Sequence, residues 1–289
     1  MYKIIEKRTL APQIFLMDIE APRVAKSSKP GQFVIVKMDE KGERIPLTIC
    51  DYDALRGTVT IVVQTIGCST KEMENYQAGD SFLDFVGPLG QASELMSESI
   101  EELKNKKIVF IAGGLGTAPV YPQVKWLNEQ GVKADVIIGA KAKEYIILEE
   151  EMNKVAGNVY PCTDDGSYGF HGLVTNKLKE LVLNEDKKYD LVIAIGPMIM
   201  MKFVCKLTEE LGITTIVSMN PVMVDGTGMC GACRITVDGE VKFACVDGPE
   251  FDGHKVNFDE AMRRQTIYKS QEVSKNEGIK PGCGLGGKV

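Results

Sequence analysis

The first third of the chain alternates short apolar runs with turn sequences. Runs typical of strands lie at residues 13–20, 32–38, 45–51, 58–65 and 81–86, and the run TVTIVVQT is β-branched at nearly every position. The turn sequences RG and AGD separate some of these runs. One helix is predicted over 69–76, where Ser69 can cap the first turn and Glu72 follows three residues later. We therefore expect residues 1–99 to form an antiparallel β barrel.

From about residue 100 the apolar runs alternate with helical stretches. The runs are KIVFIAGG, ADVIIGA, NVYPCT, DLVIAIG and TTIVSMN, and helices predicted over 120–129, 172–183 and 198–211 separate most of them. This alternation is typical of a parallel sheet that is covered by helices on both faces. The pattern predicts a doubly wound α/β domain over residues 100–220.

After Asn220 the pattern changes again. Residues 221–262 concentrate glycine and cysteine around the sequence TVDGEVKFAC, in which Asp238-Gly239 is a strong hairpin signal. We expect a third, small module over this range. Residues 263–289 are polar and end in PGCGLGGKV, which is too little apolar content to fold alone. This tail is predicted either to fray or to dock on a partner.

Composition narrows the class of protein. With 289 residues, 44% apolar and 26% charged, the chain fits a folded protein of about two domains. Its net charge of −6 has the wrong sign for binding nucleic acid. The apolar stretches 108–121 and 191–201 are shorter than the roughly 20 residues of a membrane span. The N-terminus lacks the apolar core of a secretion signal, so we expect a cytoplasmic protein without membrane contact.

Cysteine spacing gives the sharpest chemical signal. In a cytoplasmic protein, clustered cysteines more often bind metal than form disulfides. Asp225, Cys230, Cys233 and Cys245 follow the C-x4-C-x2-C pattern of a plant-type 2Fe-2S cluster with its distant fourth ligand, except that aspartate takes the first position. The small residues between them would let backbone amides face the cluster's sulfides. We therefore predict a 2Fe-2S cluster on these four residues.

Two alternatives remain open for this module. A zinc site could use the three cysteines with His254 or Cys283 as fourth ligand, although zinc ribbons usually show two C-x2-C pairs. Within the iron–sulfur interpretation, Cys283 could replace Asp225 as the fourth ligand. The register of Asp225 in the motif favours the aspartate.

A glycine-rich loop follows the first apolar run of the α/β region. Gly113, Gly114, Gly116 and Thr117 stand between a predicted strand and a predicted helix, where a pyrophosphate can approach the backbone and the helix N-terminus. The loops 163–167 and 196–198 follow later runs, and all three could meet at the carboxyl edge of the sheet. When the loop 163–167 is taken alone, ordinary turn chemistry explains it better than ligand binding does.

Two segments of the barrel offer hydrogen-bond donors for a second pyrophosphate. The first is R-I-P-L-T at residues 44–48, and the second is G-C-S-T at residues 67–70, at the start of the predicted helix. Taken without context, both segments fit a purely structural role.

The order of these motifs resembles the ferredoxin-NADP reductase superfamily over residues 1–220. With the cysteine module included, the chain resembles, over residues 1–260, the electron-transfer subunits of type B dihydroorotate dehydrogenases, which carry FAD and an iron–sulfur cluster. The aspartate in DGTGMCGACR departs from the four cysteines of that subfamily. It is similar instead to the small subunits of NADH-dependent reduced ferredoxin:NADP oxidoreductases, which are electron-bifurcating enzymes.

The resemblance implies roles for individual residues. Flavin-lining positions would be Arg44, Pro46, Leu47, Thr48, Val63 and Gln64, with Gly67, Ser69 and Thr70 on the pyrophosphate. Positions for the nicotinamide nucleotide would be Gly113, Gly114, Gly116, Thr117, Asp165, Gly196 and Pro197. Arg44 lies one position earlier relative to the proline than in many of these subunits. No general base is implied, because such a protein positions NAD(H) against FAD and tunes both potentials.

These features predict an oxidoreductase subunit that carries electrons between NAD(H) and a partner through FAD and a 2Fe-2S cluster. The resemblance implies that the partner is a larger flavin and iron–sulfur subunit that binds NADPH, is like the small subunit of glutamate synthase and forms a heterodimer with this chain. Ferredoxin would then take part indirectly. The alternatives are an electron-transfer subunit for dihydroorotate oxidation and a non-catalytic adaptor stabilised by zinc.

Overall fold

Seven antiparallel strands form an N-terminal barrel in the computed structural model, which describes residues 1–269. Their order around the barrel is β6-β1-β2-β5-β4-β3-β7. The strands are β1 (Tyr2–Ala11), β2 (Ile14–Glu20), β3 (Phe33–Lys37), β4 (Ile45–Asp53), β5 (Thr58–Gln64), β6 (Ser81–Phe82) and β7 (Asp84–Leu89), and the helices are α1 (Pro22–Ser27) and α2 (Cys68–Met73). The predicted barrel is confirmed, with β1 and α1 as additional elements and the predicted run 81–86 divided between β6 and β7.

Strand β5 is apolar on its core face and mostly polar on the other face, where Val62 stands among Thr58, Thr60 and Gln64. Val59, Ile61 and Val63 point into the barrel core, as the period of a strand requires. Val62 faces outward, yet it is buried against Ala118 of the next domain. The contact with the next domain therefore replaces one position of the polar alternation that the outward face otherwise keeps.

The second domain has a parallel sheet in the order β11-β10-β9-β8-β12-β13, and β16 adds an antiparallel strand beside β13. Its helices are α3 (Ile100–Asn105), α4 (Thr117–Glu129), α5 (Glu149–Val155), α6 (Val174–Leu183) and α7 (Met198–Leu211). Its strands are β8 (Ile108–Gly113), β9 (Asp135–Ala140), β10 (Val159–Thr163), β11 (Phe170–His171), β12 (Leu191–Ile195) and β13 (Thr214–Ser218). Helices cover both faces of this sheet, which confirms the doubly wound architecture.

The C-terminal part consists of β14 (Arg234–Val237), β15 (Glu240–Phe243), β16 (Glu250–Asp252) and α8 (Phe258–Gln265). Strands β14 and β15 form the predicted hairpin, and both residues of its turn, Asp238 and Gly239, have positive φ (53° and 77°). No helix within residues 1–269 is long and apolar enough to cross a membrane. Most of the predicted tail, including Cys283, lies outside the described residues.

Candidate functional site

The loop from Asp225 to Cys233, called the cysteine loop below, is held by hydrogen bonds between its own residues. Gly226 has a φ of 79°, a conformation that favours glycine. The Asp225 carboxylate accepts hydrogen bonds from the Thr227 hydroxyl (2.7 Å), the Thr227 amide (2.9 Å) and the Met229 amide (3.2 Å). These bonds, the hydroxyl foremost, hold the pKa of Asp225 below its ordinary value. Asp225 is therefore an ionised carboxylate at neutral pH.

Two of the predicted cluster ligands meet directly. The Sγ atoms of Cys233 and Cys245 are 3.2 Å apart, and both residues are buried free cysteines. Burial raises the pKa of Cys245 to about 12, and the neighbouring Cys233 thiol adds to the effect. Two thiolates on one tetrahedral ion with bonds of about 2.3 Å lie about 3.8 Å apart. The pair thus needs to open by only about half an ångström to share a metal ion, which would displace the thiol protons.

The other donors are not gathered around this pair. Cys230 is exposed, and within residues 1–269 no three His, Cys, Asp or Glu side chains stand close enough to hold one metal ion. The His254 ring faces the Thr208 hydroxyl (3.0 Å between Nε2 and Oγ1), so the structure does not bring His254 to the cysteines. Asp225 and Cys230 stay predicted ligands. The Gly228 amide, hydrogen-bonded to the Cys245 thiol, is the kind of donor that surrounds an iron–sulfur cluster, so the residues present fit one.

The cysteine loop packs directly on the barrel. A Cβ atom at Gly226 would lie 3.0 Å from Ile35 and 3.1 Å from Leu89, so the loop backbone is in close contact with β3 and β7. Arg44 Nη2 donates a hydrogen bond to the Asp225 carbonyl oxygen (3.5 Å). Ile35 pairs with Pro46 across β3 and β4. The structure therefore brings the predicted flavin strand and the predicted cluster loop together.

The predicted flavin residues occupy neighbouring positions at this end of the barrel. Pro46, Leu47 and Thr48 lie on β4 and are half-buried. The Ser69 hydroxyl donates a hydrogen bond to Glu43 (2.6 Å), which ties α2 to the segment before β4. The structure thus places both barrel segments side by side.

The capping of α2 differs from the prediction. The helix begins at Cys68 with Gly67 as N-cap and ends at Met73, so the predicted range 69–76 was wrong at both ends. The Thr70 hydroxyl, rather than that of Ser69, accepts hydrogen bonds from the Ile66 amide (3.0 Å) and the Gly67 amide (3.1 Å). The Thr70 side chain therefore shapes the turn.

Val63 and Gln64 end strand β5. The Val63 side chain is fully buried in the barrel core, so only its backbone can face a ligand. Gln64 is half-buried and pairs with Ile14 of β2. Of this predicted pair, Gln64 is the side chain that can reach a bound molecule.

The glycines of the α/β domain bring two strand ends together. A Cβ atom at Gly196 would lie 3.0 Å from the Gly113 Cα, and one at Gly116 would lie 2.1 Å from the Ile195 carbonyl oxygen. Strands β8 and β12, which these glycines follow or end, are adjacent in the sheet where the strand order reverses. A switch point of this kind is where open α/β sheets bind ligands.

Other residues line the same crevice. Gly114 has a φ of 54°, and a Cβ atom there would have no neighbour within 4 Å, so its backbone is open to a ligand. The Thr117 hydroxyl donates to the Gly114 carbonyl (3.0 Å), which fixes the turn into α4. Pro197 precedes α7 as its N-cap. Asn220, which the sequence did not single out, donates to the Gly196 carbonyl from its side-chain amide (3.5 Å).

Asp165 lies apart from these glycines. It follows β10, which is two strands away from β8 at the same edge of the sheet. Its carboxylate accepts hydrogen bonds from the Ser167 hydroxyl (2.6 Å) and amide (2.9 Å), and these bonds lower its pKa. The Ser167 hydroxyl in turn accepts from the Lys143 amide (2.9 Å). Asp165 thus stabilises its own turn and can reach a dinucleotide only at the end far from Gly113.

Family models match two parts of the chain. Residues 220–257 match the iron-sulfur cluster binding domain of dihydroorotate dehydrogenase B, and residues 110–206 match the oxidoreductase NAD-binding domain. These matches confirm the prediction of an iron–sulfur module that follows a nicotinamide-nucleotide domain.

Similar proteins cover nearly the whole chain. An uncharacterized protein of Clostridium beijerinckii is 66% identical and covers 94% of this chain and 92% of its own. A homologue of the dihydroorotate dehydrogenase B (NAD+) electron transfer subunit from Thermotoga maritima is 44% identical, covering 93% and 92%. A chain in the structure of the NADH-dependent reduced ferredoxin-NADP oxidoreductase, studied for flavin-based electron bifurcation, is 41% identical with a TM-score of 0.87, covering 96% and 97%.

The similarity extends through the barrel, the nucleotide domain and the cysteine loop, whose Gly226 packs on strands β3 and β7. It includes the module in which Cys233 and Cys245 meet. The chain belongs to the family of dihydroorotate dehydrogenase B electron transfer subunits and their homologues.

Proposed function

We propose that this chain is an electron-transfer subunit that binds FAD and a 2Fe-2S cluster and carries electrons between NAD(H) and a larger partner subunit. The observation that carries this proposal is the contact between the cysteine loop and the barrel. Arg44, at the start of the proposed flavin strand, donates to the Asp225 carbonyl, and Gly226 packs on Ile35. A flavin on β4 would therefore lie next to the cluster.

In this proposal, separate sets of residues bind the flavin and the nicotinamide nucleotide. A flavin accepts two electrons as hydride and passes them on one at a time, which is what a transfer from NADH to an iron–sulfur cluster requires. Gly113, Gly114 and Gly196 leave the carboxyl edge of β8 and β12 open to the nicotinamide nucleotide. Their role is binding and orientation, since hydride transfer requires close approach of the two rings and no protein base.

The cysteine loop, together with Cys245 after β15, would supply the cluster's ligands. Cys233 and Cys245 hold the buried side of the site, while Cys230 and Asp225 would complete it from the exposed side. A carboxylate is a harder donor than a thiolate, so we expect the aspartate to change the cluster's potential. Because Cys230 is exposed, single electrons can leave towards a docked partner.

We propose further that the partner is an NADPH-binding flavin and iron–sulfur subunit, that the two form a cytoplasmic heterodimer, and that ferredoxin exchanges electrons with the partner rather than with this chain. The support is the 41% identity and the TM-score of 0.87 to the NADH-dependent reduced ferredoxin-NADP oxidoreductase chain. A dihydroorotate-oxidising partner is the second candidate, favoured by the 44% identity to the Thermotoga maritima homologue. Co-purification of the native complex, followed by assays with NADPH and with dihydroorotate, distinguishes the two.

The cofactor content tests the proposal directly. Anaerobically purified protein should show flavin absorbance, contain iron and sulfide, and give the EPR signal of a 2Fe-2S cluster after reduction with NADH. Colourless protein with bound zinc, and without NADH oxidation towards an artificial acceptor, would refute it in favour of a zinc-stabilised adaptor.

The variant Asp225→Cys tests the ligand assignment separately. If Asp225 binds iron, this variant retains a cluster whose EPR signal differs from that of the wild type. An identical signal would show that another residue is the fourth ligand.

A further inference from the structure

Helix α8 reaches the cysteine loop through one arginine. The helix lies beyond residues 220–257, which match the iron-sulfur domain, and it contacts β14 and α7. Arg264, in its last turn, donates a hydrogen bond from Nη2 to the Ala232 carbonyl oxygen (3.2 Å). Ala232 directly precedes Cys233, so the guanidinium is anchored to the backbone between the two cysteines of the predicted C-x2-C pair.

This hydrogen bond is not needed to cap the helix. Two of the last carbonyl groups of α8 are already paired, because the Thr266 amide donates to the Arg263 carbonyl and the Ile267 amide donates to the Arg264 carbonyl. An arginine at a helix C-terminus is ordinarily explained by such carbonyls or by the helix dipole. Arg264 extends past them to a different segment of the chain.

The guanidinium of Arg264 has one donor that the described residues do not satisfy. Its Nε–H is buried, and no acceptor within residues 1–269 pairs with it. A buried donor without a partner is unfavourable, and a charged one especially so. The geometry therefore points to an acceptor at this place that is not part of the described chain.

A reduced iron–sulfur cluster is an acceptor of the required charge. Three thiolates and the Asp225 carboxylate would make this site strongly negative, and reduction adds one more electron with no proton. A nearby cation that cannot lose its proton favours the more negative state. We propose that Arg264 raises the midpoint potential of the cluster, acting as a positioning residue that fixes the Ala232 carbonyl and places its charge and Nε–H beside the ligands.

This inference rests on the proposed function, since it requires a cluster at the site. The matched control is Arg263, which precedes Arg264 on the same helix turn but is exposed. Arg263→Gln removes the same charge from solvent, where counterions screen it. Arg264→Gln removes it from beside Ala232. Arg264→Lys retains the charge without the planar donor fork.

The experiment is an EPR-monitored redox titration of the full chain with its cofactors, together with iron and sulfide analysis of each variant. We expect a lower midpoint potential in Arg264→Gln, and in Arg264→Met should the glutamine variant lose its cluster. Arg263→Gln should titrate like the wild type, and Arg264→Lys should lie closer to the wild type than Arg264→Gln does.

The outcomes separate the two levels of the proposal. A wild-type protein without iron would overturn the proposed function and this inference together. Normal cluster content with equal midpoint potentials in Arg264→Gln and Arg263→Gln would overturn the inference alone. If the midpoint potential of Arg264→Lys falls as far as that of Arg264→Gln, the charge of Arg264 is refuted as the cause of the shift.

Discussion

Glu250 connects three parts of the molecule, and its removal should destabilise the chain strongly. It lies on β16 and is 5% exposed, between the segment that leaves the barrel and helix α4. Its carboxylate accepts hydrogen bonds from the Ser93 hydroxyl (2.9 Å), the Glu94 amide (3.0 Å) and the Gln123 side-chain amide (2.8 Å). The perturbation is Glu250→Ala, with Glu250→Gln as the control that retains shape and hydrogen-bonding capacity.

The magnitude follows from the donors that the alanine variant would leave unpaired. The Ser93 Oγ also lies 3.1 Å from the Gln123 side-chain carbonyl oxygen, so its one hydroxyl proton can be donated there when Glu250 is removed. The Glu94 amide and the Gln123 amide nitrogen would have none, and each unpaired buried donor costs about 1–3 kcal/mol. Glu250→Ala should therefore lose about 2–6 kcal/mol of unfolding free energy. Glu250→Gln should lose less than about 1.5 kcal/mol, since Gln123 can turn its amide to accept.

Thermal unfolding followed by circular dichroism measures both variants. A loss of this size should lower the unfolding temperature of Glu250→Ala by about 4 °C or more, because each kcal/mol corresponds to about 2–4 °C at this chain length. Equal unfolding temperatures in Glu250→Ala, Glu250→Gln and the wild type would refute the role assigned to the carboxylate.

The same residue predicts a pH dependence with a definite sign. Burial outweighs the hydrogen bonds and raises the pKa of Glu250. The folded chain therefore holds this proton at pH values where the unfolded chain has lost it. The associated stability is fully present below the unfolded pKa of about 4.3 and is lost as the pH rises through the raised folded pKa. The difference in unfolding free energy between the wild type and Glu250→Gln should decrease over that range, and a difference that increases would contradict the assignment.

Three further variants or labels test local features. Gly116→Ala should destabilise the α/β domain by about 3 kcal/mol or more, because its Cβ would lie 2.1 Å from the Ile195 carbonyl oxygen; unchanged urea unfolding would contradict this close packing. Gly67→Ala, whose Cβ would meet no atom within 4 Å, should change stability by less than about 1 kcal/mol but weaken FAD retention, and unchanged FAD affinity would remove Gly67 from the flavin site. Iodoacetamide should label Cys230 in the folded apoprotein before Cys162, whose pKa burial raises to about 12, and mass spectrometry that found the reverse order would contradict the burial of Cys162.

Sequence patterns predicted the strands and helices whose buried positions follow a regular period. The five runs of the α/β region all became strands, and β8 and β12 are buried at every position, as central strands covered on both faces are. The Asp238-Gly239 turn was predictable because few other residue pairs adopt positive φ twice in succession. Strand β1 was missed because only Ile4 and Ala11 of its residues are buried, so it shows no clear alternation. Helix α1, with 6 residues, is too short to show a helical period.

The glycines show where sequence interpretation reaches its limit. Gly113, Gly114 and Gly116 of one loop and Gly196 of another were predicted to meet at the carboxyl edge of the sheet, and the structure does bring them to one crevice. Their physical reasons nevertheless differ, since Gly116 is required by the Ile195 carbonyl and Gly114 by its own positive φ. Glycine meets both requirements, so the sequence alone does not tell them apart. Only the folded structure distinguishes a glycine that avoids a clash with a neighbouring strand from one whose backbone is open to a ligand.

Electrostatic control of the predicted cluster is further removed from sequence patterns. The spacing of Cys230 and Cys233 predicts a metal site because the ligands are close along the chain. The two arginines that contact the cysteine loop are distant along the chain from the residues they bind. Arg44 is 181 residues from Asp225, and Arg264 is 32 residues from Ala232. No spacing rule connects such pairs, because the barrel and helix α8 bring them to the loop only after folding. The chemical type of a site can therefore be predicted from its ligands, whereas its potential depends on charges that the tertiary structure places beside them.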